Sequence, residues 1–132
     1  MDAIRVAAAT DDGTTFVARH FGDAQHYGVY EVSRQGIRFL RLVTNKTAEE
    51  QGHADPEKAR SVAAILQDEG VQVALTEAFG PNLKRIKSKF VCVLAGHHEI
   101  TAGLEQVRRN FNEVVTEWKK GEQRDFLNMK NR

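Results

Sequence analysis

Two rhythms of apolar residues divide the chain. Residues 4–9, Ile-Arg-Val-Ala-Ala-Ala, form a short run of strand length, and Thr10-Asp11-Asp12-Gly13 ends it with turn-forming residues. Residues 27–32 then alternate, with Tyr27, Val29 and Glu31 on one face and Gly28, Tyr30 and Val32 on the other. Ser33-Arg34-Gln35-Gly36 reads as a tight turn in which glycine supplies any positive φ, and residues 37–43 alternate less regularly as a third strand. These three strands predict a meander. The connection between the first two runs to about fifteen residues, long for a hairpin, and such loops are usually functional or mobile.

Beyond a second polar loop at 44–55, the period changes. Asp55-Pro56 is a helix-start signal, Ala59, Val62, Ala63 and Leu66 follow at helical spacing, and Gly70 suits the left-handed residue past the end. Residues 71–76 predict a fourth strand, reached across that helix and therefore parallel to its neighbour by a right-handed crossover. Glu77-Ala78-Phe79-Gly80-Pro81-Asn82 reads as a strand-to-helix junction, with Leu83 and Ile86 on the inner face of a short helix. Residues 90–95 are almost wholly apolar, as in a parallel strand covered on both faces. After the Gly96-His97-His98-Glu99 loop, Thr101 is the expected N-cap of one last helix carrying Leu104, Val107, Phe111, Val114, Val115 and Trp118 as a stripe. The reading is α/β: a five-stranded mixed sheet in the order βββαβαβα, helices packed on it, in a single domain over residues 1–121. Residues 122–132 are expected to form a flexible tail, with Phe126, Leu127 and Met129 able to dock on a partner or on the domain.

Composition narrows the function more than the fold. Against 19 Lys+Arg stand 18 Asp+Glu, which leaves no net field favouring nucleic acid or an anionic membrane. No apolar run approaches the ~20 residues that span a bilayer, and the first strand begins without a signal-peptide core. Cys92 is the single cysteine, so one chain can make neither an internal disulfide nor a four-thiolate cluster. A reducing cytoplasm is the expected compartment.

If strand two runs antiparallel to strand one, the loops after strands one, three, four and five share one sheet edge. All five histidines fall there: His20 and His26 after strand one, His53 after strand three, His97 and His98 after strand five. Open α/β sheets bind ligands outside the carboxyl ends of their strands, and imidazole is the commonest protein metal ligand. Helix starts at Pro56, Pro81 and Thr101 face the same edge and favour an anion. Together these point to a site for a negatively charged, metal-containing species. The bland alternative stands beside it, because loop histidines are commonly inert and their spacing matches no short metal signature. Asp11-Asp12-Gly13 reads first as a solvated turn and second as a magnesium-binding carboxylate pair. Cys92 reads as a small buried hydrophobe. Ser61 and Ser88 have no nearby base, so no nucleophilic triad is expected.

Three stations carry a family likeness: residues 4–9 with Thr10-Asp11-Asp12-Gly13; His20-Phe21-Gly22-Asp23-Ala24 leading into Tyr27-Gly28-Val29-Tyr30-Glu31-Val32; and Phe79-Gly80-Pro81-Asn82. On these residues the chain, over roughly 3–118, resembles the dinitrogenase iron-molybdenum cofactor biosynthesis family, the NifX-type domain also found at the C-terminus of NifB. The resemblance implies a ribonuclease H-like fold and a non-catalytic role, holding an iron-sulfur or iron-molybdenum cluster or its precursor between synthesis and insertion. It implies His20 as the favoured ligand. It also implies Thr10, Asp11, Phe21, Gly22, Gly80 and Pro81 as cofactor-binding positions, and metallocluster assembly or acceptor proteins as partners. His53 stands in a loop where members often carry glycine and histidine. Where members commonly show two glycines before the Gly-Pro station, this chain has Glu77-Ala78-Phe79. His97-His98 lies outside the family pattern, and its role rests on the shared edge alone. Two rival readings remain. One is a divalent-metal nuclease or phosphotransferase in which Asp11 or Asp12 pairs with Glu77. The other is a regulatory interaction module that has lost its ligand.

Overall fold

The computed structural model describes residues 1–46 and 56–132, with residues 56–60 and 82 described in backbone only. Three strands open it, β1 (Ala3–Thr10), β2 (His26–Ser33) and β3 (Ile37–Thr44), with a 3-10 turn at Phe21–Asp23 between the first two. Helix α1 (Pro56–Asp68) leads to β4 (Val73–Thr76), and α2 (Leu83–Lys87) leads to β5 (Val91–Leu94). Two helices follow, α3 (Ile100–Arg109) and α4 (Phe111–Trp118), and a short β6 (Leu127–Asn128) closes the chain. The sheet order is β3-β2-β1-β4-β5-β6. β1 is antiparallel to β2 and parallel to β4, and β4 is parallel to β5, as the crossover argument required.

Alternation along the strands splits the core in two. Ala7 and Ala9 of β1, with Tyr27 and Val29 of β2, face Val62, Ala63 and Leu66 of α1 and Ile86 of α2. Ile4, Val6 and Ala8, with Val32, face Leu104 and Val107 of α3 and Phe111 and Val114 of α4. The small alanines of β1 let both helical layers sit close to the central strand. On the second face, Gly103 of α3 lies so near Phe16 that a Cβ there would come within 2.7 Å of the ring. β3 is the outer strand and leaves Ile37, Phe39 and Leu42 exposed. No described helix is long and apolar enough to cross a membrane.

Several expectations are corrected. The sheet has six strands rather than five, because residues 127–128 pair with β5 in parallel register, Val93 opposite Leu127 and Leu94 opposite Asn128. The segment expected to be a flexible tail is held: Met129 is fully buried, its N–H donates to the Leu94 carbonyl at 2.9 Å, and its carbonyl accepts from Gln106 Nε2 at 2.9 Å. Arg124 stacks on Trp118 at 4.1 Å and donates to the Trp118 and Ser88 carbonyls. A two-residue strand has no period to read, so nothing in the pattern announced it.

The single last helix is two, divided at Asn110, whose side-chain amide donates to the Gln106 carbonyl at 2.8 Å and competes with the helical ladder there. Glu99 holds the N-cap position of α3 without a side-chain hydrogen bond to the helix, and Thr101 is exposed inside the first turn. The turn at 33–36 needs no left-handed glycine; among the described residues the glycines at positive φ are Gly13, Gly70, Gly80 and Gly121. The helix-start signal at Asp55 lies outside the described residues, while α1 itself begins at Pro56.

Because Met129 fills a closed position between β5 and α3, Met129→Ala is expected to cost about 2–4 kcal/mol. Urea unfolding of the variant checks this; a loss within error of zero would mean that the C-terminal segment does not hold the fold.

Candidate functional site

The carboxyl ends of β1, β4 and β5 meet at one edge, where the β1–β2 connection folds over them. That connection is long but pinned at both ends and in the middle. Asp11 accepts the Gln25 N–H at 2.9 Å and pairs with Arg19 at 2.8 Å, while Arg19 also donates to the Asp23 carbonyl at 3.0 Å. Phe16 and Val17 are nearly fully buried on opposite faces of the sheet. Their N–H groups donate to the His98 carbonyl at 2.9 Å and the Ala9 carbonyl at 3.1 Å.

Asp12 closes the turn that begins the connection. Its carboxylate accepts from the Thr15 hydroxyl at 2.7 Å, the Thr15 N–H at 2.8 Å and the Thr14 N–H at 2.9 Å. Those donors, the Thr15 hydroxyl foremost, hold its carboxyl far below the usual carboxylate range.

The 3-10 turn after His20 is built around Phe21. Its ring is fully buried, 5.0 Å from the Tyr27 ring and 5.5 Å from the Phe79 ring. Its N–H donates to the Ala78 carbonyl at 2.9 Å, and its carbonyl accepts the Tyr27 hydroxyl at 2.8 Å. Burial pushes that phenol's pKa well up, so it remains a donor. Asn45, almost wholly buried, donates its side-chain amide to the Gly22 carbonyl at 3.0 Å and the Ala24 carbonyl at 2.8 Å. The turn is thus gripped from β2, from the end of β3 and from the loop after β4.

This grip sets His20 against Gly80. A Cβ at Gly80 would lie 2.4 Å from His20 Nδ1 and 2.5 Å from Cγ, and Gly80 sits at φ +77°, so the imidazole occupies space that only glycine leaves open. The two sequence stations on either side of the edge therefore make one unit: a histidine ring seated on the glycine of the facing loop. Pro81 is exposed at the start of a 3-10 turn (Gly80–Asn82) and has no N–H to offer. The first N–H of the five-residue α2, that of Leu83, already donates to the Gly80 carbonyl. Neither of these two positions therefore has an N–H to offer the anion expected at this helix start.

The other described histidines share the edge without sharing the point. His26 is the first residue of β2, opposite Thr10 and Thr44. Alternation with Tyr27 puts it on the face away from Phe21, and its Nδ1 is buried with no hydrogen-bond partner among the described residues. His97 is exposed in the loop after β5. His98 pairs through Nδ1 with Glu77 Oε1 at 2.7 Å. His53 lies outside the described residues. Among the described residues no three His, Cys, Asp or Glu side chains come together as a metal site. Cys92 is buried as expected, with its thiol pushed up to about 12 by desolvation, so it offers no thiolate. The carboxylates of the nuclease reading are spread over separate tasks, Asp11 on Arg19 and Gln25, Asp12 on its own turn, Glu77 on His98. Asn45 and the His98–Glu77 pair were missed as features of the site. An asparagine after a strand carries no special signal, and the pair joins residues 21 positions apart.

The fold and site define a mixed α/β protein with a histidine-bearing turn clasped to a glycine loop at the carboxyl edge of its sheet. The comparisons give that class its family. A family model described as dinitrogenase iron-molybdenum cofactor matches residues 2–119, and the chain belongs to this family. Protein NifX of Sinorhizobium fredii (strain NBRC 101917 / NGR234) is 34% identical over 89 residues, which are 65% of this chain and 55% of that protein, so the match spans about half of the relative's length. Among solved structures, the NMR structure of a provisional NifB protein from Thermotoga superposes with a TM-score of 0.54 at 19% identity, covering 86% of this chain and 89% of that one. It supports the fold.

Two outcomes follow from the geometry. Gly80→Ala forces the His20 ring from its seat and strains a left-handed position, an expected loss of about 1–3 kcal/mol with a displaced His20 ring signal in NMR. An unmoved ring would break the clasp. For Asp12 the folded value lies below the ordinary 3.8, so its stabilisation is present above that value and is lost only as pH falls through the lower folded one. The Thr14 and Thr15 amide shifts should therefore stay constant from neutral pH down to about 4.5; a titration of both amides within that window would contradict the bonding described.

Proposed function

We propose that this chain is a cytoplasmic, non-catalytic carrier that binds an iron-sulfur or iron-molybdenum cofactor, or its precursor, during metallocluster biosynthesis, and that it exchanges this cargo with assembly and acceptor proteins. The observation that carries the reading is the imidazole of His20 seated on Gly80 at the carboxyl edge, in a chain of the dinitrogenase iron-molybdenum cofactor family. The strand order β3-β2-β1-β4-β5 supports taking the sheet as ribonuclease H-like. The donor set fits a cargo better than a resident ion: imidazoles at the edge, no available thiolate and, among the described residues, single side chains rather than a closed chelate. Each additional iron–ligand bond slows release, so few protein ligands suit a chain that must hand its cluster on.

Within the reading, His20 supplies the labile ligand. The Phe21 anchor, Tyr27 and Asn45 keep the ring in place, and the partly exposed backbone of Gly22 lies beside it. Thr10 and Asp11 act from beneath by fixing the connection that carries the turn.

Anaerobic reconstitution with iron, sulfide and molybdate tests this. The unmodified chain is expected to retain a cluster with its absorption and paramagnetic spectra, and His20→Ala to lose at least about ten-fold in affinity. Equal retention by both would remove His20 as ligand, and no retention by the unmodified chain would remove the carrier reading.

A further inference from the structure

Glu77 follows directly on the end of β4, and the structure gives its side chain a partner. Its Oε1 lies 2.7 Å from His98 Nδ1, with the imidazole side chain 62% exposed and the carboxylate 33% exposed. Both backbones are held by the same β1–β2 connection. The His98 carbonyl accepts the Phe16 N–H at 2.9 Å, Thr15 bridges Glu99, and the Ile100 N–H donates to the Thr14 carbonyl at 3.0 Å. On the other side, Ala78, next to Glu77, accepts the Phe21 N–H. The pair is therefore set on two anchored loops at the edge that carries His20. Gly80, on which His20 rests, is three residues further along the loop from Glu77.

A carboxylate on Nδ1 does three things to a neutral imidazole. It fixes the proton on Nδ1, orients the ring, and leaves the Nε2 lone pair unprotonated and more basic, the arrangement found behind metal-ligating histidines. The His98 side chain makes no other hydrogen bond or ion pair among the described residues, and at 62% exposure its ring leaves room for a metal centre to approach.

We propose that Glu77 and His98 form a second metal-binding arm, separate from His20, in which the Glu77 carboxylate buttresses the His98 imidazole and Nε2 ligates a coordinatively unsaturated transition-metal centre. That the centre is an exposed iron of a cargo cluster rests on the carrier reading. The arm itself is a property of the two side chains and can be tested with a simple ion.

The test uses the full chain with 15N-labelled histidine at mildly alkaline pH, first metal-free and then titrated with Co2+ alone. Metal-free, His98 is expected to show a protonated Nδ1 and an unprotonated Nε2. Added Co2+ should then shift and broaden its Nε2 signal in the unmodified chain and in His20→Ala alike. Glu77→Gln, which keeps an acceptor oxygen but removes the charge, should weaken the His98 response about ten-fold. His98→Ala should abolish that component of the binding isotherm. The proposal is overturned if His98 Nε2 ignores Co2+, if Glu77→Gln binds as tightly as the unmodified chain, or if His98→Ala leaves the isotherm unchanged; the pair is then an ordinary surface ion pair. A surviving His98 response beside failed cluster reconstitution removes the carrier reading and keeps the arm. The reverse result removes the arm and keeps the reading.

Discussion

Everything at the carboxyl edge depends on how Phe21 is held. Its ring is buried between Tyr27 and Phe79, and its N–H closes on the Ala78 carbonyl. The two terms do different work. Burying a phenylalanine side chain is worth about 1.5–3 kcal/mol, whereas one exchanged backbone hydrogen bond nets about 1. The ring therefore decides that the connection from β1 lies down on the loop after β4. The hydrogen bond decides in which register it does so. With the register set, the preceding His20 has one place to go, and Gly80 leaves that place open. The position of a half-buried polar side chain is thus fixed by an apolar one beneath it.

The wider constraint is topological. Since β1, β4 and β5 are parallel neighbours, their carboxyl ends line up at the strand spacing of about 4.8 Å, and any side chain in the loops that follow is delivered to the same rim. Delivery to a rim is weaker than delivery to a point. Strand alternation sends His26 to the face opposite Tyr27, and a 2.7 Å hydrogen bond ties His98 to Glu77. The imidazoles then stand as single arms. The strand order fixes which edge carries chemistry, while side-chain direction and local hydrogen bonding decide which groups meet.

That distinction also separates what could be read in the chain from what could not. The alternation of residues 27–32, the apolar run at 90–95 and the helical spacing of Val62, Ala63 and Leu66 each bury a continuous face, so each element is written in its own residues. The sixth strand is not, because two residues borrow their structure from β5 and from Met129 filling a gap. Nor is the break at Asn110, where the apolar stripe continues from Val107 to Phe111 and one side-chain amide interrupts the backbone ladder. In the site, His20 and Gly80 were legible as separate stations on the family likeness, but their contact was not, since it follows from the Phe21 clasp. Asn45 illustrates the limit: two of its side-chain hydrogen bonds reach residues more than twenty positions earlier in the chain, and neither end carries a local pattern.

For a chain that carries a cluster, separate arms have a thermodynamic advantage over a closed chelate. Two weak single ligands on a rigid rim reach useful affinity when both engage, because the second binding event is intramolecular and proceeds at an effective concentration set by the rim. Release can then proceed one bond at a time, with an acceptor's ligand replacing one imidazole while the other still holds. A closed tetrahedral site lacks this route, since its ligands are positioned together and its structure is stabilised by the metal. The clasp at Phe21 and the anchoring of His98 through Phe16 keep the arms themselves still. On the proposed carrier reading, less ordering entropy would then be lost on binding, and a cluster would be held by geometry rather than by the number of bonds.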